Sequence, residues 1–269
     1  MLKLRLKTEV NLFLIALGFL SRIPVPKNLD FSQQNMNRAS RYFSLVGWGI
    51  GFICALSFYL ASQFLPVSIA IVVSMIVGFF LTGGFHEDGL ADTCDGLGGG
   101  WEVEDKLKIM KDSRIGSYGS LALWSMLSLK FFLLFEIANT HSYFGSINVF
   151  VAILLAHPLS RSLSTALIFV LPYVSDDETA KSKPLAESGD VSDLMINLFI
   201  GCSALLIFSK AAALIVLSQI VLFVFLKWLY SRQVKGFTGD MLGAAQQVSE
   251  VLLYTAILIS LMPRLAVVA

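Results

Sequence analysis

Asp88, Asp92 and Asp95 are spaced i, i+4, i+7 within the segment Gly83 to Gly96, which reads GGFHEDGLADTCDG. At about 100° per residue, a helix places all three within an arc of about 60°. Three carboxylates on one face repel each other, and without a counter-charge one or more is protonated near neutral pH. A divalent cation removes the conflict. Hard oxygen ligands suit Mg²⁺, which keeps several waters and takes phosphate oxygens to complete its octahedron. The spacing therefore predicts a Mg²⁺–phosphate site. A solvated acidic helix start is the plainer alternative. Against it, the run directly follows an apolar stretch and is interleaved with Gly89, Gly96 and Gly98 to Gly100, which suit a site at a membrane face.

Two further polar islands carry candidate groups. Residues 108–119 (KIMKDSRIGSYG) offer Asp112 as another metal ligand, and Lys111 and Arg114 as phosphate partners. Arg presents a bidentate fork for that purpose, whereas Lys108 and Lys111 also suit a membrane anchor. Residues 235–244 (KGFTGDMLGA) place Thr238 and Asp240 ahead of the last apolar stretch. Alone, a Gly-x-x-Gly-Asp pattern reads as a turn and helix cap.

The elements that position these islands are membrane helices. The chain has 269 residues, 56% hydrophobic and 14% charged, whereas a soluble domain is about 25% charged. Its net charge of +1 supplies no basic field for nucleic acid. The three cysteines include no CxxC pair, so neither a zinc site nor a disulfide framework is expected. Seven apolar stretches fall at about 43–60, 67–82, 119–138, 147–171, 192–209, 211–230 and 248–262, the last being short. Residues 10–20 are too short to span. No cleavage site follows them, and 1–20 reads as an interfacial or re-entrant helix. The expected fold is all-α: a polytopic helical bundle of about seven transmembrane helices plus that N-terminal helix. It forms a single membrane-embedded catalytic domain over 1–269.

Charge sets the orientation. The long polar segments 1–41, 83–118, 172–190 and 231–247 hold seven, four, two and two Lys or Arg, against Lys210 alone in the short connections. The positive-inside rule puts the long segments, and the islands with them, in the cytoplasm. His141 then lies in an outside loop and Arg264 is a mild exception. Residues 174–190 read as a mobile loop. Lys130, His157 and Arg161 fall within or near spans, where ionisable groups face a cavity or a partner. Lys130 either snorkels or pairs with Glu136, and Arg161 is a candidate for substrate contact.

The segment Gly83 to Gly96 resembles the signature of the cobalamin synthase (adenosylcobinamide-GDP ribazoletransferase) family. Phe19 to Pro26, Arg41 to Gly47, Met110 to Gly119 and Gly236 to Ala244 resemble its other motifs in order, with Ser44 where proline is expected. The resemblance implies residence in a bacterial inner membrane and Mg²⁺ dependence. It also implies the substrates, adenosylcobinamide-GDP and α-ribazole or its 5′-phosphate. A ribose hydroxyl attacks the cobinamide-side phosphorus and GMP leaves. Oligomeric state is left open, a homo-oligomer included. On this chemistry Asp88, Asp92 and Asp112 are expected to hold Mg²⁺, with Glu87 as a further ligand. Asp95 is expected to act as general base, with His86 as the alternative. Arg114, Lys111, Arg161 and Arg22 are expected to contact phosphate, with Thr238 and Asp240 as further substrate contacts. A CDP-alcohol phosphotransferase is the nearest rival, but its Asp-Gly-x-x-Ala-Arg pattern fails here because Asp92 follows Ala91. A transporter would place its ionisable groups near the midplane of repeated halves, and no repeat is visible.

Overall fold

The structure, a computed structural model, describes residues 2–140, 145–174, 189–207 and 212–262. The regions expected to be a mobile loop (174–190, apart from its ends) and an outside loop (His141), together with Lys210 and Arg264, lie outside the described residues. Among the described residues the architecture is all-α, with one isolated bridge between Tyr173 and Phe237.

The helices are α1 (Leu2–Leu20), α2 (Gln33–Ala39), α3 (Phe43–Ser62), α4 (Val67–Thr82), α5 (Phe85–Gly99) and α6 (Val103–Met110). They continue as α7 (Ser117–Asn139), α8 (Gly145–Ile168), α9 (Val191–Cys202), α10 (Ala212–Gln233) and α11 (Gly239–Leu261). Each of the seven apolar stretches becomes a helix, but not all are of spanning length. The run Gln33–Ser62 ending in α3, and α7, α8, α10 and α11, are long and apolar enough to cross a membrane. The stretch expected to be shortest proves to be the end of the 23-residue α11, which begins nine residues earlier than expected. α4 has 16 residues, about 24 Å at 1.5 Å per residue, against a hydrocarbon core of about 30 Å. It joins α5 through an 87° bend. The apolar helix Val191–Leu206 is also shorter than a span.

α8 is the central helix, packed against α3, α7, α9 and α11. It is buried along most of its length, including His157, Pro158 and Arg161. α7 and α10 instead expose large apolar side chains, among them Leu121, Trp124, Val221, Val224, Phe225 and Trp228. A face of that kind is suited to lipid rather than water. α1 buries Leu12, Ile15, Ala16 and Leu20 against α2 and α3. Arg41 ties it to α9: its Nε donates to Asp193 Oδ1 at 2.6 Å and its Nη1 to Glu9 at 3.2 Å.

Lys130 corrects an expectation. It neither snorkels nor pairs with Glu136; it is buried on α7 and its Nζ lies 2.6 Å from Glu250 Oε1 on α11. Glu136 is six residues along α7, which at about 100° per residue turns it about 120° around the helix from Lys130.

Candidate functional site

α4 stops at Gly83, and Gly83 and Gly84 both adopt left-handed backbone, with φ of 73° and 72°. Two successive positive-φ residues suit glycine and produce the bend that lays α5 across the end of α4. Arg22 is held at this corner. Its backbone N–H donates to Leu81 O at 2.7 Å, and its guanidinium lies over Gly83, where no Cβ would fit.

α5 carries the acidic face on one continuous helix, with Asp88 exposed, Asp92 half-buried and Asp95 buried. Gly89 lets the backbone of α11 approach: a Cβ there would lie 2.7 Å from Asp240 O. That contact adds Asp240 to the acidic face. Burial, followed by the charges of Asp88, Asp240 and Asp95, pushes the Asp92 carboxyl up to about 7. A site that holds carboxylates together at such cost to their ionised form is one that a cation or a cationic ligand stabilises.

Asp112 is not among the carboxylates acting on Asp92. It sits on the exposed turn before α7, where Arg114 Nε lies 3.0 Å from Oδ1 and Nη2 lies 2.5 Å from Oδ2. The Arg114 guanidinium holds the Asp112 carboxyl down at about 2. Glu87, the further ligand expected, accepts at Oε1 from Gln247 Nε2 at 3.0 Å, and its Oε2 is buried without a hydrogen-bond partner. Among the described residues, no three His, Cys, Asp or Glu side chains are grouped to hold a metal ion by themselves. A cation at this face would need most of its oxygens from water or a ligand, with one or two carboxylates from the chain.

Asp95 serves another purpose. Its Oδ2 accepts from the Gly116 N–H at 2.7 Å and its Oδ1 from the Gly119 N–H at 2.9 Å. These groups open α7, so both carboxylate oxygens cap that helix and complement its dipole. His86, the alternative base of the sequence reading, lies on another side of the helix. α5 begins at Phe85, ahead of His86, which keeps the imidazole on the buried side, away from the acidic face. Asp95→Ala is expected to lower the unfolding free energy by about 1–2 kcal/mol, the worth of a lost cap. Thermal unfolding in detergent checks this, and an unchanged midpoint would remove the capping role.

Thr238 is likewise a cap: its Oγ1 accepts from the Met241 N–H at 3.3 Å. Lys111 is exposed and shares a surface hollow with Lys108 and Lys235. Arg161 is fully buried, with Nη1 donating to His157 O at 3.1 Å. Sequence reasoning missed the groups beneath α5. Glu250 accepts from Tyr254 OH at 2.8 Å and Gln246 Nε2 at 2.9 Å. Gln246 Nε2 also lies 3.0 Å from Ser160 Oγ. Residues 246, 250 and 254 are four apart, and that period was a signal available in the sequence.

A profile of the cobalamin-5-phosphate synthase family matches residues 12–258. The chain belongs to the cobalamin-5-phosphate synthase family. Proteins named adenosylcobinamide-GDP ribazoletransferase are 49% identical over 251 residues in Shewanella frigidimarina and 47% over 252 residues in Shewanella oneidensis. In both cases the alignment covers 93% of this chain and 95% of the relative. No solved structure matches the chain. As a cobalamin-5-phosphate synthase family member, the chain is a transferase of cobalamin biosynthesis, and the phosphotransferase and transporter rivals are set aside. Ser44, the departure from the expected motif, is buried and bonded to Ser162 Oγ at 2.7 Å and Asn197 Oδ1 at 3.1 Å. It joins α3, α8 and α9, away from the acidic face.

Proposed function

We propose that the chain joins α-ribazole, or its 5′-phosphate, to adenosylcobinamide-GDP and releases GMP, at the face formed by α5 and the start of α11. The observation that carries this reading is the gathering of Asp88, Asp92 and Asp240 around the Gly89 contact. Asp88 and Asp92, one turn apart, would hold Mg²⁺ together with the pyrophosphate of the substrate. When bound, the cation neutralises charge on the phosphate oxygens and on the leaving GMP. Arg22, fixed at the α4–α5 corner, and Arg114, exposed on the turn before α7, are placed to meet the same phosphates. The ribose hydroxyl forms the new bond to the cobinamide-side phosphorus, and the bridging oxygen leaves with GMP.

With Asp95 engaged in capping α7, we assign the hydroxyl proton to Asp240, whose backbone packs on Gly89 of α5. Asp95 becomes a positioning residue that fixes the turn carrying Asp112 and Arg114. The site faces the cytoplasm of a bacterium, across its inner membrane, as the Lys and Arg asymmetry of the connecting segments supports.

The test is turnover by purified protein in detergent. GMP release is expected only when both substrates and Mg²⁺ are present, and with no membrane gradient. Release without the ribazole substrate, or undiminished release after chelation, would overturn the reading. In intact cells with the native cysteines replaced, Asp105→Cys and Lys235→Cys are expected to resist an impermeant thiol reagent. Labelling of either in an active variant would reverse the orientation.

A further inference from the structure

A cavity opens between the N-terminal ends of α5 and α11, where Gly239 and Gly243 form part of its wall. It contains about 490 Å³ of space between atoms, its mouth included. Three aromatic rings frame it. Phe19 stacks on Phe43 with centroids 6.0 Å apart, and meets Phe85 edge-on at 5.4 Å. The lining is otherwise apolar apart from a small polar set on α8 and α5. Within that set, Arg161 Nε and Thr165 Oγ1 are both buried without a partner, on side chains only 2% and 1% exposed. Buried polar atoms are rarely left unpaired, so two of them on neighbouring residues of one cavity wall ask for a ligand.

We propose that this cavity holds the aromatic base of the nucleoside substrate, a benzimidazole-type bicycle; the inference rests on the ribazole-transfer reading. Such a base is apolar over most of its surface and carries one ring nitrogen on the ribose. Its second ring nitrogen offers a lone pair. The aromatic walls take the faces and edges of the bicycle. Thr165 Oγ1–H, with Arg161 Nε–H beside it, donates to the free nitrogen.

Other occupants fit worse. Guanine carries several N–H donors along its edge, and the lining presents no carboxylate to accept them. An acyl chain fills the apolar part but leaves both orphaned donors unpaired. Position agrees with the choice. Gly239 precedes Asp240, and Phe85 lies three residues before Asp88. A base seated here therefore directs its ribose toward the carboxylates.

The test uses the full chain in detergent, with 5,6-dimethylbenzimidazole as the binding probe and steady-state kinetics beside it. Thr165→Val removes the hydroxyl at constant shape. It is expected to raise the KM for α-ribazole, and weaken binding of the free base, by about tenfold, the loss expected for one hydrogen bond to a buried group. kcat and the KM for adenosylcobinamide-GDP stay within about twofold, a split that a general loss of stability would not give. Ser164→Leu fills the cavity and is expected to abolish base binding while the corrinoid substrate still binds. Should Ser164→Leu lose corrinoid binding as well, it has misfolded and Thr165→Val alone decides. Equal base binding by wild type and Thr165→Val, or a rise confined to the corrinoid KM, overturns the assignment and leaves the transfer reading standing. Base binding that is sensitive to Thr165→Val in a protein that releases no GMP upholds the cavity and overturns the transfer reading.

Discussion

Replacing Asp92 with alanine is expected to slow GMP release about a thousandfold, because charge stabilisation by a bound metal is worth several kcal/mol and about 1.4 kcal/mol is a factor of ten. Asp92 is the carboxylate on which the charges of Asp88, Asp240 and Asp95 converge. Removing it relieves that repulsion, so the variant should be no less stable than wild type in the absence of divalent cations. Rate and stability then move apart, as expected of a site that sets stability aside for chemistry. Asp88→Ala should behave in the same way, with the half-saturating Mg²⁺ concentration raised in any residual activity. Asp240→Asn should differ: the rate falls by about 10²–10⁴, the range for a lost general base, while Mg²⁺ half-saturation holds. The measurements are initial rates of GMP release against Mg²⁺ concentration, beside unfolding midpoints in detergent. A folded Asp92→Ala protein with near-normal turnover would end the assignment of this face as the reaction site.

The acidic face was legible in the sequence because i, i+4, i+7 spacing needs only one helix, and α5 is that helix. What surrounds it was not legible. The 87° turn between α4 and α5 depends on a left-handed pair at Gly83 and Gly84, and a Gly-Gly dipeptide states only that such a pair is allowed. Asp95 shares the arc of Asp88 and Asp92, which suggested shared chemistry. Its actual partners, the N–H groups of Gly116 and Gly119, lie more than twenty residues away, and helical periodicity carries no information at that range. The same limit left Asp240 as a candidate substrate contact without showing its place beside α5, which it reaches because Gly89 lets two helices touch. Glu87 and His86 are adjacent to the acidic face in sequence, yet about 100° per residue of helix rotation turns them toward the interior. Glu250 was overlooked for a different reason: a single acid inside a long apolar run contributes little to hydropathy, although an acid in such a place needs a partner.

Lys130→Met alone is expected to destabilise the protein by about 3–5 kcal/mol, because it leaves the carboxylate of Glu250 buried and uncompensated. Glu250 is 1% exposed and Lys130 7%, so water cannot take over the lost contact. The hydrogen bonds from Tyr254 and Gln246 remain and soften the loss without removing the charge. Glu250→Gln reverses the problem. It keeps a polar group of similar shape but strands the ammonium, and should cost a similar amount. The double variant removes both charges, and a buried pair replaced as a unit is often close to neutral. Most of the stability should therefore return in Lys130→Met/Glu250→Gln, with a coupling energy well above the few tenths expected of independent sites. The pair has a second role that the double variant would expose. Gln246 lies within hydrogen-bonding distance of Ser160 on α8 and of Gln247, and Gln247 donates to Glu87 on α5. The network thus reaches from α7 and α11 to the back of the acidic helix, one residue from Asp88. If it orients that helix, the double variant regains its unfolding midpoint but retains a raised requirement for Mg²⁺. Equilibrium unfolding in micelles for the four proteins, with Mg²⁺ titrations of turnover, separates the two effects. Additive single-variant losses would show that Lys130 and Glu250 do not act as a pair. A double variant with wild-type Mg²⁺ dependence would confine the network to holding the helices together.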